Sequence, residues 1–267
     1  MKMPSISVLF PVYNCKTSYL REAIESILEQ TFEDFELIIL DDGSENDVAS
    51  VIEEYAKRDS RIIFVREEEH HGLVYGLNKM ISMAQGKYLA RMDGDDISVP
   101  FRFELQHKFL EEHPKYGFVG GNILLMDDDN LLYGSRKYPR KPSKKDFLKY
   151  QPYAHPTIMF RKSCMNMDKP YGGENNFHRG EDYRLFMHLT AEGVKGFNLQ
   201  ENLLCYRETR DSYNRRRLLD QLDEVSIRWK GFREIGLNPW HKLYYVIKPI
   251  IVWLVPNRIA FAIRNGV

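Results

Sequence analysis

The sequence has few cysteines, no long apolar run, no net charge and no internal repeat, and each shortage removes a class of protein. Cys15, Cys164 and Cys205 are the three cysteines among 267 residues. They stand far apart with no CxxC pair, which excludes a disulfide framework and a cysteine-based zinc site and fits a reducing compartment. No uncharged apolar stretch reaches the roughly 18 residues that would span a bilayer. The opening residues enter a short apolar run that breaks at Pro11, without the h-region or cleavage site of a signal peptide, so a cytoplasmic location is expected. Lys and Arg number 38 and so do Asp and Glu. No global field therefore points to nucleic acid or any other polyanion as a partner. What remains is ordinary globular composition, 43% hydrophobic and 28% charged, on a chain long enough for one large α/β domain.

The first half alternates between two periodicities. Ser5–Phe10 reads as a buried strand ending at Pro11, Leu20 to Leu28 as an amphipathic helix, and Glu36–Leu40 as a second buried strand. Val48–Ala56 reads as a helix, Ile62–Val65 as a strand, Leu73–Ala84 as a helix and Lys87–Met92 as a strand. Such alternation implies parallel βαβ units, whose ligands bind beyond the carboxyl ends of the strands. Tyr13-Asn14, Asp41-Asp42 and Asp93-Gly94-Asp95-Asp96 each follow a strand directly, so three polar loops are expected to meet at one edge. Further on, Arg102–His113 reads as a helix and Phe118–Leu125 as a strand. Asp127–Lys145 reads as a mobile polar loop, and short strands near Thr157–Phe160 and Asn198–Tyr206 flank a helix starting near Glu181.

Three acidic clusters carry candidate chemistry. Asp93 and Asp95, separated by Gly94, can turn towards one cation, and Mg²⁺ or Mn²⁺ commonly binds through one or two carboxylates plus substrate phosphates. The same residues would also suit an acidic turn in which Asp96 caps a helix. Asp41-Asp42-Gly43-Ser44 can accept hydrogen bonds from a nucleobase or ribose, or can be a βα turn capped by Ser44. Glu181 and Asp182 at a helix start are favoured by the helix dipole and can also serve as a general base.

The combination is far more specific than its parts. Pro11-Val12-Tyr13-Asn14, Gln30-Thr31-Phe32, Asp41-Asp42-Gly43-Ser44, Gly72-Leu73 with Leu77-Asn78, Gly86-Lys87-Tyr88, Asp93-Gly94-Asp95-Asp96, Pro100 and Gly180-Glu181-Asp182 occur in this order. Over about residues 4–207 the chain resembles the family 2 inverting glycosyltransferases. The resemblance implies the GT-A fold, an α/β, Rossmann-like architecture with a mixed central sheet, here with a C-terminal helical tail. It implies a catalytic domain over 1–213, with a nucleotide-sugar half at 1–115 and an acceptor half at 116–213. It further implies that Pro11, Tyr13, Asn14, Asp41, Asp42, Gly72, Arg91 and Asp93 surround a nucleotide, with a UDP-sugar the expected donor. Asp95, helped by Asp93, would hold Mg²⁺ or Mn²⁺, and Asp182, or failing it Glu181, would be the catalytic base. His155, Arg207 and Arg210 would lie by the donor sugar and acceptor, the acceptor being a surface glycan or its lipid-linked precursor. One departure stands out: many relatives place a His shortly after a Tyr-Arg pair, whereas Tyr206-Arg207 is followed here by Glu208-Thr209-Arg210-Asp211.

Two other readings bear on the same residues. A nucleotidyltransferase would want a glycine-rich basic loop after the first strand, and Pro11–Lys16 is not one. A catalytically inactive relative that binds glycan or scaffolds an assembly is favoured by the missing His and opposed by Asp93, Asp95 and Asp182. The extension at 214–267 carries ten Lys/Arg, four acids and all three tryptophans. It suits either the cytoplasmic face of a membrane or a homodimer contact, or else packing on the protein itself.

Overall fold

A computed structural model describes residues 3–173, 179–208 and 218–254. Four strands open the chain in the expected order: β1 (Ile6–Val12), β2 (Phe35–Asp42), β3 (Ile62–Glu67) and β4 (Tyr88–Arg91). Between them lie α1 (Thr17–Leu28), α2 (Val48–Ala56) and α3 (Leu73–Met83). β1 pairs in parallel with both β2 and β4, and β2 with β3. Every residue of β2 is buried, as a strand covered on both faces should be. The helices bury Leu20, Ile24 and Ile27 of α1 and Val48, Val51 and Ile52 of α2 against the sheet.

The strand at Pro11 runs on to Val12 rather than stopping. β4 pairs with β1 only as far as Leu9, so Pro11 falls beyond that ladder and its missing N–H breaks no bond there.

The second half makes the sheet mixed. β5 (Ile97–Ser98), α4 (Arg102–Glu112), β6 (Tyr116–Met126), β7 (Leu132–Arg136), α5 (Asp146–Lys149), β8 (Met159–Arg161), α6 (Glu181–Ala191) and β9 (Lys195–Arg207) follow in turn. The order across the sheet is β3-β2-β1-β4-β8-β6-β9-β5, with β7 paired to β6. β8 is antiparallel to β4 and β6, whereas β9 is parallel to β6 and antiparallel to β5. Two expectations need correction. The polar stretch after Met126 is not all loop, because β7 forms an antiparallel ladder on β6. Thr157 lies in a 3₁₀ turn, His155–Thr157, that precedes β8.

The chain divides into two compact units. The first comprises the described residues of Met1–Pro142, Pro152–Glu174 and Val194–Arg207, and the second those of Ser143–Gln151, Asn175–Gly193 and Glu208–Val267. The second unit holds α5 and α6 together with α7 (Leu218–Glu234) and α8 (Leu243–Trp253). Its core depends on close backbone approach. A Cβ on Gly231 would stand 2.3 Å from Met187, and one on Gly180 would stand 2.8 Å from Ile227. The buried Arg228 ties the helices together, pairing with Glu224 and donating to the carbonyls of Leu148 at 3.1 Å and Tyr245 at 3.2 Å.

Candidate active site

The loops after β1 and β2 are laced to each other. Asn14, at φ 47°, donates its backbone N–H to Ser44 Oγ at 2.9 Å, and its side-chain oxygen accepts from Glu45 N at 3.0 Å. Ser44 is therefore not the cap of α2, whose N-cap position is Asp47. Gly43 has φ +74°, and a Cβ there would lie 2.7 Å from the backbone of Glu69, so only glycine lets the loop after β2 approach the loop after β3. Asp41 is fully buried; one oxygen accepts from Ser44 N at 3.0 Å, and the other has Arg66 Nε at 3.7 Å without a hydrogen bond.

Asp42 organises the loop before α3. Its oxygens accept from His71 N at 3.0 Å and Gly72 N at 2.7 Å, and His70 Nδ1 stands 2.8 Å from it. The His70 ring stacks on Tyr13 with centroids 3.7 Å apart. Tyr13, Asn14, Asp41, Asp42 and Gly72 thus lie together at this edge, with Pro11 one step back in β1 opposite Leu40. His70 was missed, and the sequence signal for it was only a His-His pair before Gly72.

Arg91 and Asp93 leave the end of β4 side by side. Arg91 is 3% exposed and forms an ion pair with Asp93, yet its Nε and Nη1 make no aligned hydrogen bond. Burial works against the guanidinium charge, and the Asp93 carboxylate more than offsets it, raising the pKa. His155 and Tyr171 lie close by, both buried and joined by a 2.7 Å hydrogen bond. Burial, then the Arg91 charge, holds His155 well below its ordinary pKa, so its imidazole is neutral. Asn78 of α3 fixes the Tyr171 segment, donating to Gly172 O at 2.9 Å and accepting from Tyr171 N at 3.1 Å. Nothing in the local sequence marks Tyr171.

Asp95 is desolvated, and burial and the neighbouring Asp93 push its pKa up to about 6. Asp96 is 1% exposed and pushed well above the carboxylate range by burial, then by Asp93 and Asp95. It does not cap α4. Its side chain accepts from Arg207 N at 2.9 Å, where β5 meets β9. Cys15 shares this environment: its Sγ–H donates to Gly94 O at 3.2 Å, and burial, then Asp95, pushes its pKa up to about 12.

Arg207 clamps the loop from behind. Its guanidinium donates to Asp95 O at 2.8 Å, Asp127 O at 3.0 Å, Asn130 Oδ1 at 2.6 Å and Glu22 Oε2 at 2.8 Å. It also lies 3.9 Å from the centroid of the Tyr19 ring. Four of its five guanidinium N–H groups are taken within the protein and its side chain has no exposed surface, so it positions Asp95 and Asp96 rather than facing a ligand. Arg210 lies outside the described residues.

Asp93, paired with Arg91, and the desolvated Asp95 beside it still repel each other, and a divalent ion would offset that repulsion. Asp93 and Asp95 are the residues that would hold it. Among the described residues no group of three His, Cys, Asp or Glu gathers as a metal site. A two-carboxylate site completed by substrate phosphate and water fits that donor set.

Asp182 belongs to the second unit, in the first turn of α6 after Gly180 at φ 89°. One oxygen accepts from Gln151 Nε2 at 2.8 Å, and the side chain borders a cavity of about 180 Å³ together with Arg179, Tyr183, Asp220 and Arg228. Glu181 precedes it in the same turn. A larger recess of about 910 Å³ lies between α3 and residues 162–170 of the first unit. Its cations are already engaged: Lys79 with Glu67, Lys87 with Glu111, and Lys162 and Arg161 with backbone carbonyls.

Residues 7–171 match the family described as Glycosyl transferase family 2. EpsE of Bacillus subtilis is 36% identical over 254 residues, spanning 95% of this chain and 90% of its own. The UDP-Glc:alpha-D-GlcNAc-diphosphoundecaprenol beta-1,3-glucosyltransferase WfaP of Escherichia coli is 27% identical, over 93% and 95% of the two chains. Among solved structures, the mannosyltransferase PcManGT of Pyrobaculum calidifontis, in complex with GDP-Man and Mn²⁺, superposes with a TM-score of 0.66 at 18% identity. That alignment covers 97% of this chain and 72% of the other.

Proposed function

This chain belongs to glycosyl transferase family 2 and has the GT-A fold, and from that premise we propose that it transfers a sugar from a UDP-sugar to an acceptor hydroxyl with inversion at the anomeric carbon. The observation that carries the reading is the meeting of the β1, β2 and β4 loops at one sheet edge, with Tyr13 and Asp42 at one end and Asp93 and Asp95 at the other. That arrangement suits a nucleobase and ribose by Tyr13, Asp41 and Asp42 and a diphosphate by Arg91 and Asp95. UDP is favoured by the donor in the name of WfaP. Residues 1–115 would form the donor half and 116–213 the acceptor half of the catalytic domain.

The reaction is a single displacement. The Asp182 carboxylate takes the proton of the acceptor hydroxyl, and that oxygen forms a bond to the anomeric carbon from the face opposite the diphosphate. The bond to the diphosphate breaks, and its electron pair leaves with UDP. Arg91, buried against Asp93 with its Nε free of a hydrogen-bond partner, is suited to hold the diphosphate in place. A bound Mg²⁺ or Mn²⁺ on Asp95 and Asp93 would supply neutralisation of the charge that develops on the leaving group. A surface glycan or lipid-linked precursor is the proposed acceptor, with the WfaP name as its support, and the inner face of the cytoplasmic membrane is the matching location.

The test is turnover with a panel of nucleotide sugars and lipid-linked acceptors. Asp182→Asn should lower kcat by about 10³-fold, within the span of general-base losses, while leaving nucleotide affinity intact. An unchanged kcat would remove Asp182 from the mechanism, and the same experiment on Glu181→Gln would then decide between the two acids.

A further inference from the structure

α5 is four residues long, Asp146–Lys149, too short to persist on its own hydrogen bonds. Three other helices of the same unit hold it. Tyr183 of α6 donates its hydroxyl to the Phe147 carbonyl. Arg228 of α7 donates to the Leu148 carbonyl at 3.1 Å, and Lys248 of α8 to the Lys149 carbonyl at 2.8 Å. Carbonyls at a helix C-terminus lack partners within the helix, and here three in succession are each taken by a different neighbour. Phe147 and Leu148 are buried as well, and the Phe147 ring lies parallel to that of Tyr183.

The chain leaves this anchored turn directly towards Asp182. Tyr150 is extended, at φ −164° and ψ 173°, and Pro152 restricts the backbone of Gln151 before it to extended conformations. Gln151 Nε2 then donates to Asp182 Oδ2 at 2.8 Å, while Tyr183 N donates to Asp182 Oδ1 at 2.6 Å. Tyr183 therefore serves both ends, its hydroxyl on α5 and its backbone on Asp182. One N–H donor on each oxygen fixes the plane of the carboxylate. A carboxylate has about four lone-pair positions, so room remains for the proton of a further hydroxyl.

The neutrality of Gln151 matters, because charges already surround this carboxylate. Arg179, Asp220, Glu224 and Arg228 line the same cavity, with Tyr183, and Glu181 precedes Asp182 in the first turn of α6. A cation in place of Gln151 would cost Asp182 basicity, and an anion would oppose its ionisation. An amide orients it at a smaller cost of either kind.

Given Asp182 as the base of the proposed displacement, a reading on which this assignment rests, we propose that Gln151 is its positioning residue: the α5 turn, pinned by Tyr183, Arg228 and Lys248, holds the Gln151 amide where it orients the Asp182 carboxylate.

The experiment follows Asp182 by ¹³C NMR of the aspartate carboxyl carbons in the full-length chain, its resonance identified by its loss in Asp182→Asn. The titration midpoint should lie about one pH unit higher in Gln151→Met, which keeps the side-chain length and removes the donor. It should lie higher still in Gln151→Glu, which sets a second negative charge beside it. In turnover with the same panel of nucleotide sugars and acceptors, Gln151→Met should lower kcat about tenfold and leave the donor KM within about twofold. The acid limb of its kcat profile should move to higher pH with the midpoint. If Gln151→Met does not fold, the isosteric Gln151→Glu decides by the same readouts. An unmoved midpoint in a folded variant overturns the proposal, as does an unchanged kcat in Gln151→Met where Asp182→Asn lowers it. An unchanged kcat in Asp182→Asn instead removes the base itself, and the role of Gln151 with it.

Discussion

The carboxyl edge of the first unit and the outer face of α8 in the second both meet solvent, with opposite chemistry. At the sheet edge the backbone is tied down by polar side chains: Asn14 and Ser44, Asp42 and the His71–Gly72 amides, Arg207 and the Asp95 carbonyl. Charged groups there are crowded, with Asp93, Asp95 and Asp96 within four consecutive residues and the buried Arg91 against them. On α8 the exposed side chains Leu243, Tyr244, Ile247, Ile251 and Val252 are aliphatic or aromatic. A loop that keeps desolvated charges in place sacrifices stability for a poised site, whereas an exposed apolar stripe buries no charge and bears no such cost.

The largest effect should come from breaking the edge at its clamp. Arg207→Ala removes four hydrogen bonds and leaves the Asp95 and Asp127 carbonyls, Asn130 and Glu22 without their partner, while the backbone N–H that serves Asp96 stays. Losing one member of a buried ionic network costs about 3–5 kcal/mol, so chemical denaturation should show a destabilisation of that size. No substitution on the outer stripe of α8 should approach it, because exposed positions away from special features shift stability by about 0.5 kcal/mol or less.

A smaller effect of opposite sign sharpens the contrast. The pKa of Asp95 is raised in the folded protein from 3.8 to about 6. The stability linked to it is therefore fully present below pH 3.8 and is lost as pH rises through about 6. Asp95→Asn removes that loss. In EDTA at pH 7.5 the variant should melt a few degrees above the parent, a gain on the order of 2 kcal/mol, and the difference should shrink towards pH 4. A variant less stable than the parent at both pH values would show that Asp95 is a structural residue, not a poised one.

Much of the edge was legible because its signals are local. Val48–Ala56 is a helix with the bounds its periodicity gave, and the polar residues at the ends of β1, β2 and β4 meet because parallel strands share one carboxyl end. What stayed hidden depends on distant residues. Arg207 reads as a ligand-facing arginine until the fold brings Glu22, Asp95, Asp127 and Asn130 around it. His155 reads as a polar ligand, yet Tyr171 takes up its Nε2. β7, with Leu132, Tyr133, Gly134 and Ser135 exposed, lacks the buried alternation of a strand and is held by its ladder to β6. The tail showed its composition at once, but only α8 packing on Val246 and Pro249 separates its inward from its outward side chains.

The proposed donor site would hold a uridine diphosphate through Tyr13, Asp42, Arg91 and a divalent cation on Asp95. Isothermal titration of UDP with the full-length chain, in Mn²⁺ and again in EDTA, tests it most directly. UDP should bind at least tenfold more tightly with Mn²⁺, and Asp95→Asn should abolish that difference. Equal UDP affinity in Mn²⁺ and EDTA, or binding of GDP in place of UDP under both conditions, would contradict it.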